Sequence, residues 1–157
     1  MKNYLLIILT GLVAASTYLF RVPVPGSGGY FNFGDIAVVF CGLYLGKTRG
    51  ALAGGIGSAV ADLIGGFYIF IPITFLAKGL EGFIAGSLGK KNPYLLIIAG
   101  LTMIAVYFVA ELLLPGMGIA SALADLNFNL IQGTVGPLGG FVLYYLVNKA
   151  LPSSKVE

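Results

Sequence analysis

Five of the six acidic residues, Asp35, Asp62, Glu81, Glu111 and Asp125, stand inside apolar sequence, and Lys78 stands there with them. Polar uncharged residues interleave with them: Tyr30, Asn32, Tyr68, Thr74, Asn127, Asn129 and Gln132. An ionisable group held in hydrocarbon costs roughly 2.5–3.5 kcal/mol on insertion scales, so such groups point to function. The chemistry open to these types is recognition of a small polar molecule by hydrogen bonds and charge. Catalysis is not indicated, because no nucleophile–base pair or metal-ligand cluster is visible. With no histidine and one cysteine, Cys41, the chain has almost no ligands for zinc, haem or iron–sulfur centres, so no resident metal or cofactor is expected.

Spacing sharpens the candidates. Lys78 and Glu81 are three apart and share a helix face, so they can pair. Such a pair either fixes packing or belongs to a ligand site near mid-membrane, since buried pairs are poor stabilisers. Asp125, Asn129 and Gln132 follow i, i+4, i+7 and point inward together, with Asn127 off that face. Three polar groups on one face exceed what interhelical hydrogen bonding needs, which favours ligand contact. Tyr30 and Asn32 follow the glycine-rich run PVPGSGG and are predicted to belong to a lid, with Tyr30, Phe31 and Phe33 able to cover a flat ring. Asp35 is predicted to N-cap the helix that follows. Phe67, Tyr68, Phe70, Pro72 and Thr74 form a second turn, either an interfacial aromatic belt or a stacking surface for a planar ligand.

The elements that must position these residues are membrane helices. The chain is 58% hydrophobic and only 10% charged, with a mean hydropathy of +0.97. A soluble domain carries about 25% charged residues, so this chain is predicted to lie in a bilayer. Six apolar runs emerge, roughly 3–20, 34–46, 50–66, 69–88, 93–114 and 119–148, separated by glycine, proline and lysine clusters. The first is longer than a secretory h-region and lacks a clean cleavage site, so it is expected to remain as a helix. The second is too short to cross unless protein surrounds its ends. Six crossings put Lys2, Lys47, Arg49, Lys90, Lys91, Lys149 and Lys155 on one side and Arg21 on the other, which predicts cytoplasmic termini in the plasma membrane. Asp35, Asp62, Glu111, Asp125, Asn127 and Asn129 then gather toward the outer leaflet. A pore would be polar at both depths; this pattern is a cup. The fold class expected is an all-α, polytopic six-helix bundle with an outward-facing ligand pocket, residues 1–157 forming one transmembrane substrate-binding domain.

Other patterns exclude as well as suggest. The basic residues form no stripe, so nucleic acid is not a partner. Small residues recur every four positions at Gly50, Gly54 and Ser58, at Ala53, Gly57 and Ala61, and at Gly82 and Gly86, permitting close helix approach. The run from Gly42 to Thr48, GLYLGKT, has three residues between its glycines where a phosphate-binding loop needs four, so it is no nucleotide site.

Residues 28–86 resemble the signature region of the S components, the substrate-binding subunits of energy-coupling factor (ECF) transporters, in the branch of hydroxymethylpyrimidine, pyridoxine and riboflavin carriers. The resemblance lies in GGYFNFGD, the small-residue helix ending in ADL, the turn GFYIFIPIT, and KGLEG. It implies six transmembrane helices, a vitamin or vitamin precursor bound near the outer face, and association with a transmembrane coupling (T) protein and two ATPases. It implies docking to the coupling protein through small residues of the first helix, here Gly11 and Ala15 or Thr10 and Ala14. The substrate expected is a small aromatic heterocycle such as hydroxymethylpyrimidine or a pyridoxine-like vitamin, captured without covalent chemistry. The competing reading is a self-sufficient proton-coupled carrier with Glu111 or Asp62 as the proton site.

Overall fold

The computed structural model of the protein describes residues 2–26 and 28–150. Six α-helices carry it: α1 Lys2–Leu19, α2 Gly34–Leu45, α3 Lys47–Gly65, α4 Ile71–Ile84, α5 Leu96–Leu113 and α6 Ile119–Ala150. They match the six apolar runs within a few residues at each end. A 3₁₀ turn, Tyr68–Phe70, leads into α4, and a π turn, Ala85–Gly89, extends it. Pro72 sits in the first turn of α4, where its missing N–H would be unpaired anyway. Between α1 and α2, strands β1 Val22–Pro23 and β2 Tyr30–Phe31 pair antiparallel, so the glycine-rich loop is a short hairpin.

Successive helices run in opposite directions. Gly50 at the start of α3 lies against Gly42 near the end of α2 and Gly82 near the end of α4, while Thr17 near the end of α1 lies against Gly34 at the start of α2. One end of the bundle therefore collects Lys47, Arg49, Lys90, Lys91 and Lys149; the other collects the hairpin, the Phe67–Phe70 turn and Arg21. Lys155, part of the same charge asymmetry, lies outside the described residues.

α1, α3, α4, α5 and α6 pack in that order, and α6 returns to α2, which also touches α1, α3 and α4. Nine of the twelve residues of α2 are buried. At 1.5 Å per residue the helix is only about 18 Å long, well short of a hydrocarbon core of about 30 Å. Protein on nearly every side of α2 is what makes that length tolerable, as the short second run required. Outside the bundle the surface is apolar: Ile7, Ile64, Leu113 and Leu138 are each more than half exposed. Three helical stretches, Tyr68–Gly89, Pro93–Leu113 and Ile119–Ala150, are long and apolar enough to cross a membrane. An inverted surface of this kind suits a lipid solvent.

Glycines bring α2, α3 and α4 into backbone contact. A Cβ on Gly42 would stand 2.5 Å from the Gly82 carbonyl oxygen and 2.9 Å from Ala85 Cβ, and one on Gly54 would stand 2.6 Å from the Lys78 carbonyl. Gly42 thus serves packing in the run that imitates a phosphate loop. Gly11 on α1 differs, since a Cβ there would meet nothing within 4 Å. We expect Gly42→Ala to destabilise the protein by about 1–3 kcal/mol through overpacking. Gly11→Ala should be neutral or stabilising by up to about 1 kcal/mol through helix propensity. Thermal unfolding of the purified variants in detergent checks both.

Candidate ligand site

The polar residues converge at the hairpin end, in two layers. The lower layer is a buried charge cluster. Lys78 Nζ on α4 donates to Asp35 Oδ1 on α2 and lies 3.7 Å from Glu81 Oε2, with all three side chains no more than 2% exposed. The Lys78 ammonium also sits 5.5 Å from the centroid of the Tyr107 ring. Gln132 on α6 donates through Nε2 to Asp35 Oδ2 at 3.1 Å and accepts the Asn32 backbone N–H on Oε1 at 2.7 Å. Two helix-borne groups therefore hold the Asp35 carboxylate, and one of them also anchors the hairpin.

The upper layer encloses a cavity of about 30 Å³, lined by Gly29, Tyr30, Asn32, Asp62, Phe70, Thr74, Tyr107, Glu111, Asp125, Asn129 and Gln132. That is room for about two waters, and the hairpin forms part of its wall. The Tyr30 hydroxyl donates to Asp62 Oδ1, and its ring packs on Phe67 with centroids 4.6 Å apart. Phe67 in turn lies under the Arg21 guanidinium, which also covers Tyr18 at 4.2 Å. Burial, and then the neighbouring Asp62 carboxylate, push the Tyr30 phenol well above its ordinary range, so it remains a donor. On the opposite wall Tyr107 donates to Thr74 Oγ1 at 2.9 Å. Glu111 on α5 and Asp125 on α6 are neighbours on the same wall. A Cβ on Gly29 would stand 2.5 Å from Asp125 Oδ2, so the hairpin approaches this pair as closely as only glycine allows.

Eight of the expected site residues line this cavity: Tyr30, Asn32, Asp62, Thr74, Glu111, Asp125, Asn129 and Gln132. Asn127 is exposed on the other side of α6, as its spacing predicts. Three expectations need correction. Tyr68 is 67% exposed and faces outward, while Phe70 in the same 3₁₀ turn is buried and lines the cavity. With three residues per turn, positions 68 and 70 fall on different faces. Lys78 and Glu81 lie beneath the cavity, and the close partner of Lys78 is Asp35, because α2 brings a carboxylate nearer than the i+3 neighbour can come. Asp35 does not cap α2: its side chain turns inward to Lys78 and Gln132, and the Gly34 N–H is taken by Asn32 Oδ1 at 2.7 Å. Tyr107 and Gly29 were not anticipated. For Tyr107 a signal existed, because it stands one helical turn before Glu111 and so shares its face. On α1, Gly11 and Ala15 are exposed, whereas the Thr10 carbonyl abuts Gly57 of α3 and Ala14 is half-buried.

The family described as ECF-type riboflavin transporter, S component, matches residues 2–149. The chain belongs to that family. It is therefore a membrane substrate-binding subunit of an ECF vitamin transporter, which favours capture over self-sufficient proton-coupled transport. Family membership implies a vitamin-type substrate and an ECF module of T protein and ATPases as partners. The thiamine precursor transporter HmpT of Lactococcus lactis subsp. cremoris is 31% identical over 149 residues, covering 94% of this chain and 88% of HmpT. An uncharacterized protein in a gap 3′ region of Pyrococcus woesei is 34% identical over 145 residues, covering 88% of this chain and 96% of that protein. No solved structure matches the chain.

Removing one partner of a buried pair leaves an uncompensated charge, at a cost of about 3–5 kcal/mol. Lys78→Met should therefore destabilise this S component by about that much, and adding Asp35→Asn should recover part of the loss. Denaturant or thermal unfolding of the single and double variants measures the coupling.

Proposed function

We propose that this S component captures a small aromatic heterocycle, of the hydroxymethylpyrimidine or pyridoxine-like type, in the cavity between the hairpin and α3 to α6. The observation that carries the reading is the convergence of ten polar or aromatic cavity residues from four helices, the turn before α4 and a hairpin at the end of the bundle opposite its lysines. The positive-inside rule then supports six crossings, cytoplasmic termini and a pocket open to the outside. Residues 1–157 act as one transmembrane unit.

Binding proceeds without covalent chemistry. The hairpin and its Tyr30–Asp62 latch withdraw to admit the ring, since the closed cavity is far smaller than any vitamin. Phe70, Tyr107 and Tyr30 offer ring faces and edges, while Asn129, Asp62, Glu111 and Asp125 meet the polar substituents. A site whose buried polar groups need partners rejects analogues lacking those groups. The family description names riboflavin, but the relative described as a thiamine precursor transporter supports a one-ring ligand over a three-ring one. Gly11 and Ala15, exposed on α1, are the small-residue face available to the coupling protein; Thr10 and Ala14 are partly buried, the Thr10 carbonyl against α3.

Native mass spectrometry of the purified protein should find a bound heterocycle of this size. Glu111→Gln or Asn129→Ala should weaken hydroxymethylpyrimidine binding about tenfold or more, by loss of one buried hydrogen bond, without preventing membrane insertion. Unchanged affinity in both variants contradicts the site. In liposomes, uptake should require the T protein, the ATPases and ATP; uptake by this chain alone on a pH gradient contradicts the mechanism.

A further inference from the structure

We propose that a groove between α5 and α6 seats an anionic phospholipid, with an acyl chain lying between the helices and the phosphate held by Lys90 and Lys91. The groove is at the lysine-bearing end of the bundle, away from the polar cavity, and the proposal does not depend on which ring that cavity takes.

The walls of the groove are apolar. Pro93, Tyr94 and Ile97, from the short 3₁₀ turn Pro93–Leu95 and the start of α5, form one side. Thr134, Leu138 and Phe141 of α6 form the other, around a space of about 420 Å³. The hydroxyl on the α6 side, Thr134 Oγ1, donates to the Leu130 carbonyl at 2.8 Å, so that wall offers no free polar group. Leu138 is 65% exposed and Ile97 48%, both toward the lipid. α1 packs on α2 and α3, so the groove is distinct from the small-residue face proposed for the coupling protein.

The mouth of the groove is basic. Lys90 and Lys91 are exposed directly before Asn92 and Pro93, where the wall begins. Asn92 Oδ1 accepts the Tyr94 N–H at 3.0 Å, which fixes the chain between the lysines and that wall. On α6, Thr134, Leu138, Phe141, Tyr145 and Lys149 fall at i, i+4, i+7, i+11 and i+15, one continuous face that ends on a third exposed lysine. The five acidic side chains among the described residues are each no more than 5% exposed, and both ion pairs among those residues belong to Lys78. The described part of the protein therefore supplies no carboxylate to this mouth, and the charge that complements it is a partner's.

Dimensions select a lipid over a soluble anion or an acidic peptide. From Lys149 to Thr134 the face runs about 22 Å along α6, at about 1.5 Å per residue. Half a bilayer with its headgroup layer is about 20–22 Å thick. Positive charge at one end and an apolar trough beneath it, over the depth of one leaflet, complement a phospholipid. Tyr94 is 85% exposed and Tyr145 59%, each about one turn from a lysine, at the level where amphipathic rings collect in a membrane. Basic pockets between transmembrane helices bind anionic headgroups, and on the orientation proposed above this is the cytoplasmic leaflet, which carries negative lipid charge.

Native mass spectrometry of the purified full chain in detergent, titrated with phosphatidylglycerol and phosphatidylcholine of identical acyl chains, tests this. Phosphatidylglycerol should be retained at least threefold over phosphatidylcholine. Lys90→Gln combined with Lys91→Gln should abolish that preference. Leu138→Trp, which fills the trough and leaves the lysines in place, should lower phosphatidylglycerol retention at least threefold. Lys47→Gln combined with Arg49→Gln removes the same charge from the same end of the bundle and should leave the preference unchanged. Equal retention of the two lipids overturns the proposal. So does equal loss in the two double variants, the mark of diffuse attraction to a basic surface, or undiminished retention in Leu138→Trp, which puts the lipid elsewhere. If the Lys90 and Lys91 variant keeps its lipid preference and instead assembles poorly with the T protein and ATPases, the mouth serves a protein partner and the proposal fails.

Discussion

The Asp35 carboxylate is the point on which the bundle turns. Alone in a lipid-embedded core it would be prohibitive, and with Lys78 as its only partner it would still repay little. It is tolerated because Lys78 from α4 and Gln132 from α6 both reach it, and because α2, the short helix that carries it, is wrapped by other helices. The same contacts join three helices at one depth and extend through Asn32 into the hairpin above. The buried charge cluster and the hairpin above it are therefore joined by hydrogen bonds. The Gln132 amide is the shared partner of both.

Close backbone approach makes this geometry reachable. With side chains at Gly42, Gly50, Gly54 or Gly82, α2, α3 and α4 would stand farther apart, and Lys78 could not meet Asp35 without strain. Gly29 plays the matching part above, letting the hairpin descend onto the Glu111–Asp125 pair. In a bilayer there is little hydrophobic drive for helices to associate, so small residues and interhelical hydrogen bonds must do it. Here the two devices occur at the same crossings: Gly54 lies against the Lys78 carbonyl, and Gly136 lies against Asp35.

Much of this was legible in the sequence, for identifiable reasons. Helix positions follow from apolar runs and their glycine and proline breaks, a signal that depends only on local composition. Asp125, Asn129 and Gln132 could be read because helical spacing alone puts them on one face. Asp35 was misread because a carboxylate in a first helical turn looks the same whether it caps or turns inward, and its partners lie 43 and 97 residues away. Lys78 does pair with Glu81, as their spacing predicts, but its nearer partner, Asp35, lies 43 residues away and leaves no local signal. Tyr68 and Phe70 fall in one aromatic turn in the sequence, and spacing alone does not say which of two residues two apart faces inward. Tyr107 was passed over because a tyrosine in a long apolar helix resembles any other core aromatic until Glu111, one turn on, is recognised as part of the site.

On the proposed function, buried charge is retained because it builds one ligand pocket beneath the hairpin. The most direct measurement is a structure of the protein determined with hydroxymethylpyrimidine bound. Ring density is expected between Tyr30, Phe70, Glu111 and Asn129, with the cavity enlarged and the Asp35–Lys78–Gln132 floor intact. Ligand in the apolar lipid-facing groove between α4 and α5, lined by Leu76 and Leu101, with the polar cavity unchanged at about 30 Å³, would contradict it.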